Sequence, residues 1–226
     1  MEFGGLQKLT VLDYPEHVAC ILFTKGCNFR CPFCHNAVLV ENKTEENYSQ
    51  EEILSFLNKR KGVLDGVNIT GGEPLLHKDI GDFLKKVKEL GYDVKIDTNG
   101  SYPERLKKLV DDGLVDYVAM DIKNIPEKYA ITAGVEVPLE KIEESIDFLM
   151  SGAVDYEFRT TVTKEFHTPQ DIEKIARRIS GAKRYFIQNF IDSGNILGVG
   201  LSPVLDETLT EMTILSQRFV ENAKNR

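Results

Sequence analysis

An α/β fold, a partial barrel of six βα units, is predicted by three observations. Apolar strand-like runs alternate with helix-like segments from residue 17 to residue 190. Six strands separated by helices imply right-handed crossovers and a mostly parallel sheet. Proline and glycine stand at the boundaries that such helices need, and 226 residues fall short of the ~250 typical of a closed eight-unit barrel. A doubly wound open sheet satisfies the same periodicity and stays open as the alternative.

The strands are expected at 17–24 (HVACILFT), 66–70 (GVNIT), 93–97 (DVKID), 116–122 (DYVAMDI), 155–162 (DYEFRTTV) and 184–190 (RYFIQNF). Helices are expected at about 49–60, 79–90, 103–112, 138–151 and 169–180. Ser49 with Glu52 makes a capping box ahead of Ile53, Leu54 and Leu57. Pro103, Pro138 and Pro169 each stand where a first helical turn would begin. Gly62, Gly91, Gly113, Gly152 and Gly181 follow the helix patterns, where a C-terminal cap favours glycine. A short N-terminal extension (1–16) and a last helix (206–223) complete one domain spanning 1–226.

Composition excludes several classes. Apolar residues are 42% and charged residues 28%, an ordinary globular balance. No apolar run approaches the ~18 residues that span a bilayer, so no membrane association is expected. The first residues carry Glu2 and no basic stretch, unlike a secretory signal. A net charge of −8 and a pI near 5.2 argue against a broad nucleic-acid surface.

The four cysteines are Cys20, Cys27, Cys31 and Cys34. Stapling disulfides would be spread along the chain, whereas this clustering reads as a metal or cluster site in a reducing, cytoplasmic compartment. Cys27, Cys31 and Cys34 form C-x3-C-x2-C on a loop directly after the first strand. Three thiolates on one tight loop can ligate three irons of a cubane and leave the fourth iron without a protein ligand. Cys20 lies inside the strand, about 13 Å below its end, and reads as core packing. Zinc with His35 as fourth ligand is the competing assignment, which would make the chain a zinc-organised binding module. An ordinary ferredoxin needs a fourth cysteine.

Four further strands finish in polar or glycine-rich residues: Thr70-Gly71-Gly72-Glu73-Pro74, Asp97-Thr98-Asn99-Gly100, Asp121-Ile122-Lys123 and Gln188-Asn189, with Arg159 inside the fifth strand. In parallel α/β folds the C-terminal strand ends form the reaction face. Taken singly, Gly71-Gly72 could be a tight turn, Asp97 to Gly100 a turn with a helix cap, and Asp121 with Lys123 a surface ion pair. Their joint occurrence at the predicted face, behind a cysteine loop, favours a site.

C-x3-C-x2-C with an aromatic, Phe33, before the last cysteine resembles the signature of the radical S-adenosylmethionine (SAM) enzymes. The stretch GLQKLTVLDYPEHVACILFTKGCNFRCPFCHN resembles more closely the activating proteins of glycyl-radical enzymes, above all those of anaerobic ribonucleoside-triphosphate reductase. The resemblance implies a radical SAM type of partial barrel and one 4Fe–4S cluster on Cys27, Cys31 and Cys34. It implies that Gly71, Gly72 and Glu73 hold the methionyl amine of SAM, that Asp97, Thr98 and Asn99 lie near its methionine and ribose, and that Lys123 approaches its carboxylate. Phe33 would lie near the adenine, and Arg159 in the same cavity. By likeness to pyruvate formate-lyase activators, Asp97, Thr98 and Asp121 would also hold a monovalent cation. Those activators carry a histidine at the end of the sixth strand, where this sequence has Phe190; that departure favours the reductase as target.

The activity so implied is reductive cleavage of SAM to a 5′-deoxyadenosyl radical, with an electron from flavodoxin or ferredoxin. The radical would then abstract hydrogen from a glycine of the partner enzyme. A pyruvate formate-lyase activator and a radical SAM enzyme acting on a small molecule are the enzymatic alternatives.

Overall fold

A computed structural model describes residues 1–226 and shows an α/β chain. Its strands are β1 (Phe3–Thr10), β2 (Ala19–Thr24), β3 (Gly66–Gly71), β4 (Asp93–Thr98), β5 (Tyr117–Asp121), β6 (Asp155–Val162), β7 (Tyr185–Asn189) and β8 (Ala223–Asn225). They run in sequence order in an eight-stranded sheet. β1 is antiparallel to β2, whereas β2, β3 and β4, and likewise β6, β7 and β8, pair in parallel. The helices are α1 (Ala37–Val40), α2 (Gln50–Lys59), α3 (Ile80–Glu89), α4 (Pro103–Asp111), α5 (Pro126–Ala133), α6 (Leu139–Met150), α7 (Pro169–Arg178) and α8 (Asp206–Gln217). No helix is long and apolar enough to cross a membrane.

All six expected strands and all five expected internal helices form. The capping box opens α2: Ser49 Oγ accepts from Glu52 N–H at 3.2 Å, and Glu52 Oε2 accepts from Ser49 N–H at 2.8 Å. Pro103 and Pro169 begin α4 and α7, where the missing N–H costs nothing. Pro138 stands one residue earlier than expected, as the N-cap of α6.

Besides the short α1, three features differ from the sequence pattern. Residues 3–10 form β1, whose Gly4 and Gly5 weaken its strand signal. The expected helix 206–223 stops at Gln217; the chain turns so that Ala223, fully buried, pairs with Tyr185 and starts β8. Between Lys123 and Pro138 the chain makes α5, ended by Gly134 in the left-handed region at φ 70°.

The chain divides into two compact units. The first comprises Met1–Asn28, Val38–Thr98 and Tyr102–Val118; the second comprises Phe29–Ala37, Asn99–Ser101 and Ala119–Arg226. In the first, Leu22, Val67, Ile69, Val94 and Ile96 from the strands and Leu57, Phe83 and Leu106 from the helices are fully buried. The second buries Phe158, Ile187, Leu149, Ile172 and Met212. Cys20 is also fully buried in β2, as a packing residue should be.

Candidate active site

The first unit carries Cys27, Gly71, Gly72, Glu73, Asp97 and Thr98. Cys27 follows the end of β2, and the chain leading to it is held by backbone. Gly72 N–H donates to Thr24 O, and Glu73 N–H donates to Gly26 O, each at 2.9 Å. The approach is too close for any side chain. A Cβ on Gly72 would lie 1.7 Å from Gly26 O, and one on Gly71, at φ 109°, 2.4 Å from Thr24 N. Gly71-Gly72 is thus a turn, but one that clamps the start of the cysteine loop. His77 adds a brace that the sequence reading missed: its Nε2–H donates to Lys25 O at 2.9 Å. Burial holds the His77 pKa below its ordinary value, so the ring is neutral at pH 7.

Glu73 is buried, 1% exposed, directly after that turn. Its Oε1 accepts from Leu75 N–H at 3.0 Å and from the Thr98 hydroxyl at 2.8 Å, which ties the end of β3 to the end of β4. Asp97 accepts a hydrogen bond from Lys95, two residues earlier on the same face of β4. Lys95 is a second residue that the sequence reading missed.

The second unit carries Cys31, Phe33, Cys34, Asn99, Asp121, Lys123 and Arg159. Its part of the loop is again held by backbone: Arg30 N–H donates to Ala133 O at 2.8 Å, and Gly198 N–H donates to Pro32 O at 2.8 Å. Cys34 N–H closes a turn onto Cys31 O at 3.0 Å. Phe33 is buried, with its ring centroid 6.4 Å from Phe166 and 6.3 Å from His167. His35, the zinc alternative's fourth ligand, stacks on Phe190 at 5.7 Å. Phe190 is buried there, so a ring–ring contact occupies the position directly after β7.

Asp121 ends β5 and is shared by two cations. Its Oδ2 accepts from Lys123 Nζ at 3.0 Å, and its Oδ1 from Arg159 Nε at 2.8 Å. Burial alone would raise the Asp121 pKa, but Arg159 and Lys123 outweigh it and hold the carboxyl at about 2. Burial works against the Lys123 charge too, and Asp121 more than compensates, so the ammonium persists. The backbone of Lys123 is fixed from two sides: its N–H donates to the Tyr129 hydroxyl at 3.4 Å, and its carbonyl accepts from His167 Nε2–H at 2.9 Å. Asp121, Lys123 and Arg159 together carry one net positive charge. Asn99 does not cap a helix; its Oδ1 accepts from Ser101 N–H and Oγ, at 3.0 and 2.6 Å, in a local turn.

None of the four cysteines is in a disulfide. Burial pushes Cys31 up to about 11, partly offset by Lys123, and also raises Cys34. Cys31, Cys34, Asp121 and Lys123 therefore act on one another within the second unit. In the first, Glu73 and Cys27 both act on Tyr102, whose hydroxyl pKa is raised mainly by burial. The donor set fits a cluster: three soft thiols on one loop, with the remaining cysteine shut in the core. No three His, Cys, Asp or Glu side chains gather as one metal ion needs. A cubane does not ask for that, since each thiolate takes its own iron.

Comparisons with known proteins agree. The Radical SAM superfamily profile matches residues 21–179. A Methanocaldococcus jannaschii protein, provisionally named a glycyl-radical enzyme activating enzyme, is 36% identical over 83% of this chain and 79% of its own length. Among solved structures, a radical SAM methyltransferase from Sphaerobacter thermophilus superposes with a TM-score of 0.74 at 12% identity, over 94% of this chain and 67% of that one. A domain of a pyruvate-formate lyase-activating enzyme from Bacteroides vulgatus superposes with a TM-score of 0.60 at 18% identity, over 71% of this chain and 98% of that one. These two likenesses support the predicted fold class. The chain belongs to the radical SAM superfamily, and it is a radical SAM enzyme whose membership implies a 4Fe–4S cluster and SAM.

Proposed function

We propose that this enzyme installs a glycyl radical on a partner protein, and that the partner is an anaerobic ribonucleoside-triphosphate reductase. The observation that carries the first step is the 36% identity, over most of both chains, to the activating enzyme of M. jannaschii. The reductase is favoured over formate-lyase by the N-terminal stretch through Cys34 and by Phe190 in place of histidine.

Cys27, Cys31 and Cys34 would each hold one iron. Ligation must expel the thiol protons, because burial keeps Cys31 protonated at neutral pH; the Lys123 ammonium favours the thiolate. Bound cluster and SAM supply reductive cleavage to the 5′-deoxyadenosyl radical, using one electron from flavodoxin or ferredoxin. The chain's own residues position SAM. The net positive group of Lys123, Arg159 and Asp121 would receive the methionyl carboxylate. Gly71, Gly72 and Glu73 receive the amine, with Glu73 oriented by Leu75 N–H and the Thr98 hydroxyl. Asn99 would border the ribose and Phe33 the adenine. On the target, one Cα–H bond of glycine breaks and one C–H bond of 5′-deoxyadenosine forms. Glycine suits this because its Cα is unshielded and both flanking amides stabilise the radical. The clustering of all four cysteines within residues 20–34, rather than spread as stapling disulfides would be, supports a reducing cytoplasmic setting.

The test incubates reconstituted, reduced enzyme and SAM anaerobically with the reductase or with formate-lyase. Electron paramagnetic resonance should show a glycyl doublet on the reductase. A doublet on formate-lyase alone would reverse the target, and no doublet with product formed from a small molecule would end the activase reading. Cys31→Ala should lose bound iron and all SAM cleavage, whereas Cys20→Ala should keep both and lose about 1 kcal/mol of stability.

A further inference from the structure

One cofactor implied by resemblance does not fit these residues: the monovalent cation assigned to Asp97, Thr98 and Asp121. In this set the attraction for a potassium or sodium ion would come from the two carboxylates, and both are already paired with cations. Asp121 gives one oxygen to Lys123 and the other to Arg159. Asp97, whose side chain is 13% exposed, is ion-paired to Lys95, whose side chain is only 2% exposed.

Lys95 is an unusual residue. It lies in the middle of β4 between Val94 and Ile96, both fully buried. Lysine is almost never fully buried unless paired, because stripping an ammonium of water costs several kcal/mol. Its position two residues before Asp97 puts both side chains on one face of the strand. An ammonium and a hydrated alkali ion carry the same single charge, but the ammonium is tethered and cannot be diluted away.

We propose that Lys95 supplies from within the chain the positive charge that Asp97 requires, so that this enzyme needs no bound potassium or sodium. Lys95 is thereby a positioning residue: it acts through Asp97 and keeps the end of β4 in place. The inference is independent of which protein receives the radical.

The experiment uses the full chain without cluster, SAM or partner, so failure of the activase assay would leave it untouched. Thermal unfolding is followed in potassium, sodium or tetramethylammonium chloride at constant ionic strength. The wild-type midpoint should be the same in all three. Lys95→Met keeps the length and removes the charge. Its midpoint should fall, and low millimolar potassium or sodium should restore part of the loss saturably, whereas tetramethylammonium should not. Adding Asp97→Asn to Lys95→Met should abolish that response. A saturable stabilisation of the wild type by potassium or sodium would overturn the proposal, as would a Lys95→Met protein indifferent to both ions. Should Lys95→Met fail to fold, the wild-type titration still decides.

Discussion

The two ends of the parallel strands in the first unit use the same residue types in opposite ways. At the N-terminal ends, carboxylates cap strand starts in reach of water. Asp65 accepts from Val18 N–H at 2.8 Å, and Asp116 accepts from Val94 N–H and from Lys88, each at 2.7 Å. Asp93 pairs with His17 at 3.2 Å while its side chain stays 53% exposed. Tyr14 stacks on His17 at 3.9 Å and packs with Ala19 and Tyr117, so part of the LDYP stretch serves this end. At the C-terminal ends, Glu73 and Lys95 are buried, and Asp97, paired with Lys95, is only 13% exposed at its side chain. Exposed pairs contribute little and cost little, whereas buried charge is expensive to keep. Charge retained under that penalty marks the end where the chemistry belongs.

The sharpest way to break this comparison is at the backbone. Gly72→Ala drives a Cβ into Gly26 O, and neither partner is a flexible side-chain tip. A loss of about 3 kcal/mol or more in urea unfolding is expected, together with loss of iron binding on reconstitution. Gly62→Ala is the control. That glycine has φ 78° but nothing within 4 Å of its Cβ position, so only the left-handed penalty of roughly 1–2 kcal/mol applies. Equal losses in the two variants would mean that the cysteine loop is not clamped by the glycine turn.

A smaller effect separates the two ends of β5. Asp121→Asn leaves Lys123 and Arg159 without their shared anion, so SAM cleavage should fall roughly 10–100-fold with the cluster still bound. Asp116→Asn, immediately before the strand, should cost about 1 kcal/mol and leave cleavage unchanged. Acid sensitivity should also change in Asp121→Asn. The Asp121 carboxyl is held at about 2, below its ordinary 3.8, so its stabilising contribution is complete above 3.8 and is lost as pH falls through 2. Cleavage assays and acid unfolding curves on both variants check this; a larger cleavage defect in Asp116→Asn would reverse the assignment of the two ends.

Much of this site was legible before any coordinates. Strands 17–24 to 184–190 announced themselves by apolar runs, and C-x3-C-x2-C carried its chemistry in its spacing. β1 was hidden because strand signals depend on side chains, and FGGLQKLT has two glycines where those would be. α5 was hidden behind polar Glu127 and Lys128 and a length of 8 residues. His77 and His167 were missed because each acts on a backbone carbonyl 52 or 44 residues away, a relation that spacing does not encode. Lys95 had a signal that went unused: a lysine inside DVKIDT, on the face that also carries Asp97.

The mildest prediction concerns the exposed end. Burial works to lower the His17 pKa, but the Pro15 carbonyl and the Asp93 carboxylate raise it above 6.5. A group whose folded pKa is raised stabilises the fold below its unfolded value and loses that contribution as pH rises through the folded one. Stability should therefore decline slightly as pH climbs above about 6.5. The other shifted groups leave that window clear. His77 and His167 are lowered, so their contributions change below 6.5 and with the opposite sign. The Cys20 and Cys31 thiols are raised from 9, to about 12 and about 11, and matter only at higher pH. Thermal midpoints at several pH values should show the decline in the wild type and its loss in His17→Gln, with SAM cleavage unaffected at pH 7. Asp93→Asn should flatten the curve part of the way, since the Pro15 carbonyl remains. A slope unchanged in His17→Gln would mean that the strand starts carry no titrating charge of consequence in this window, and would leave the buried end as the only one whose electrostatics the fold has to pay attention to.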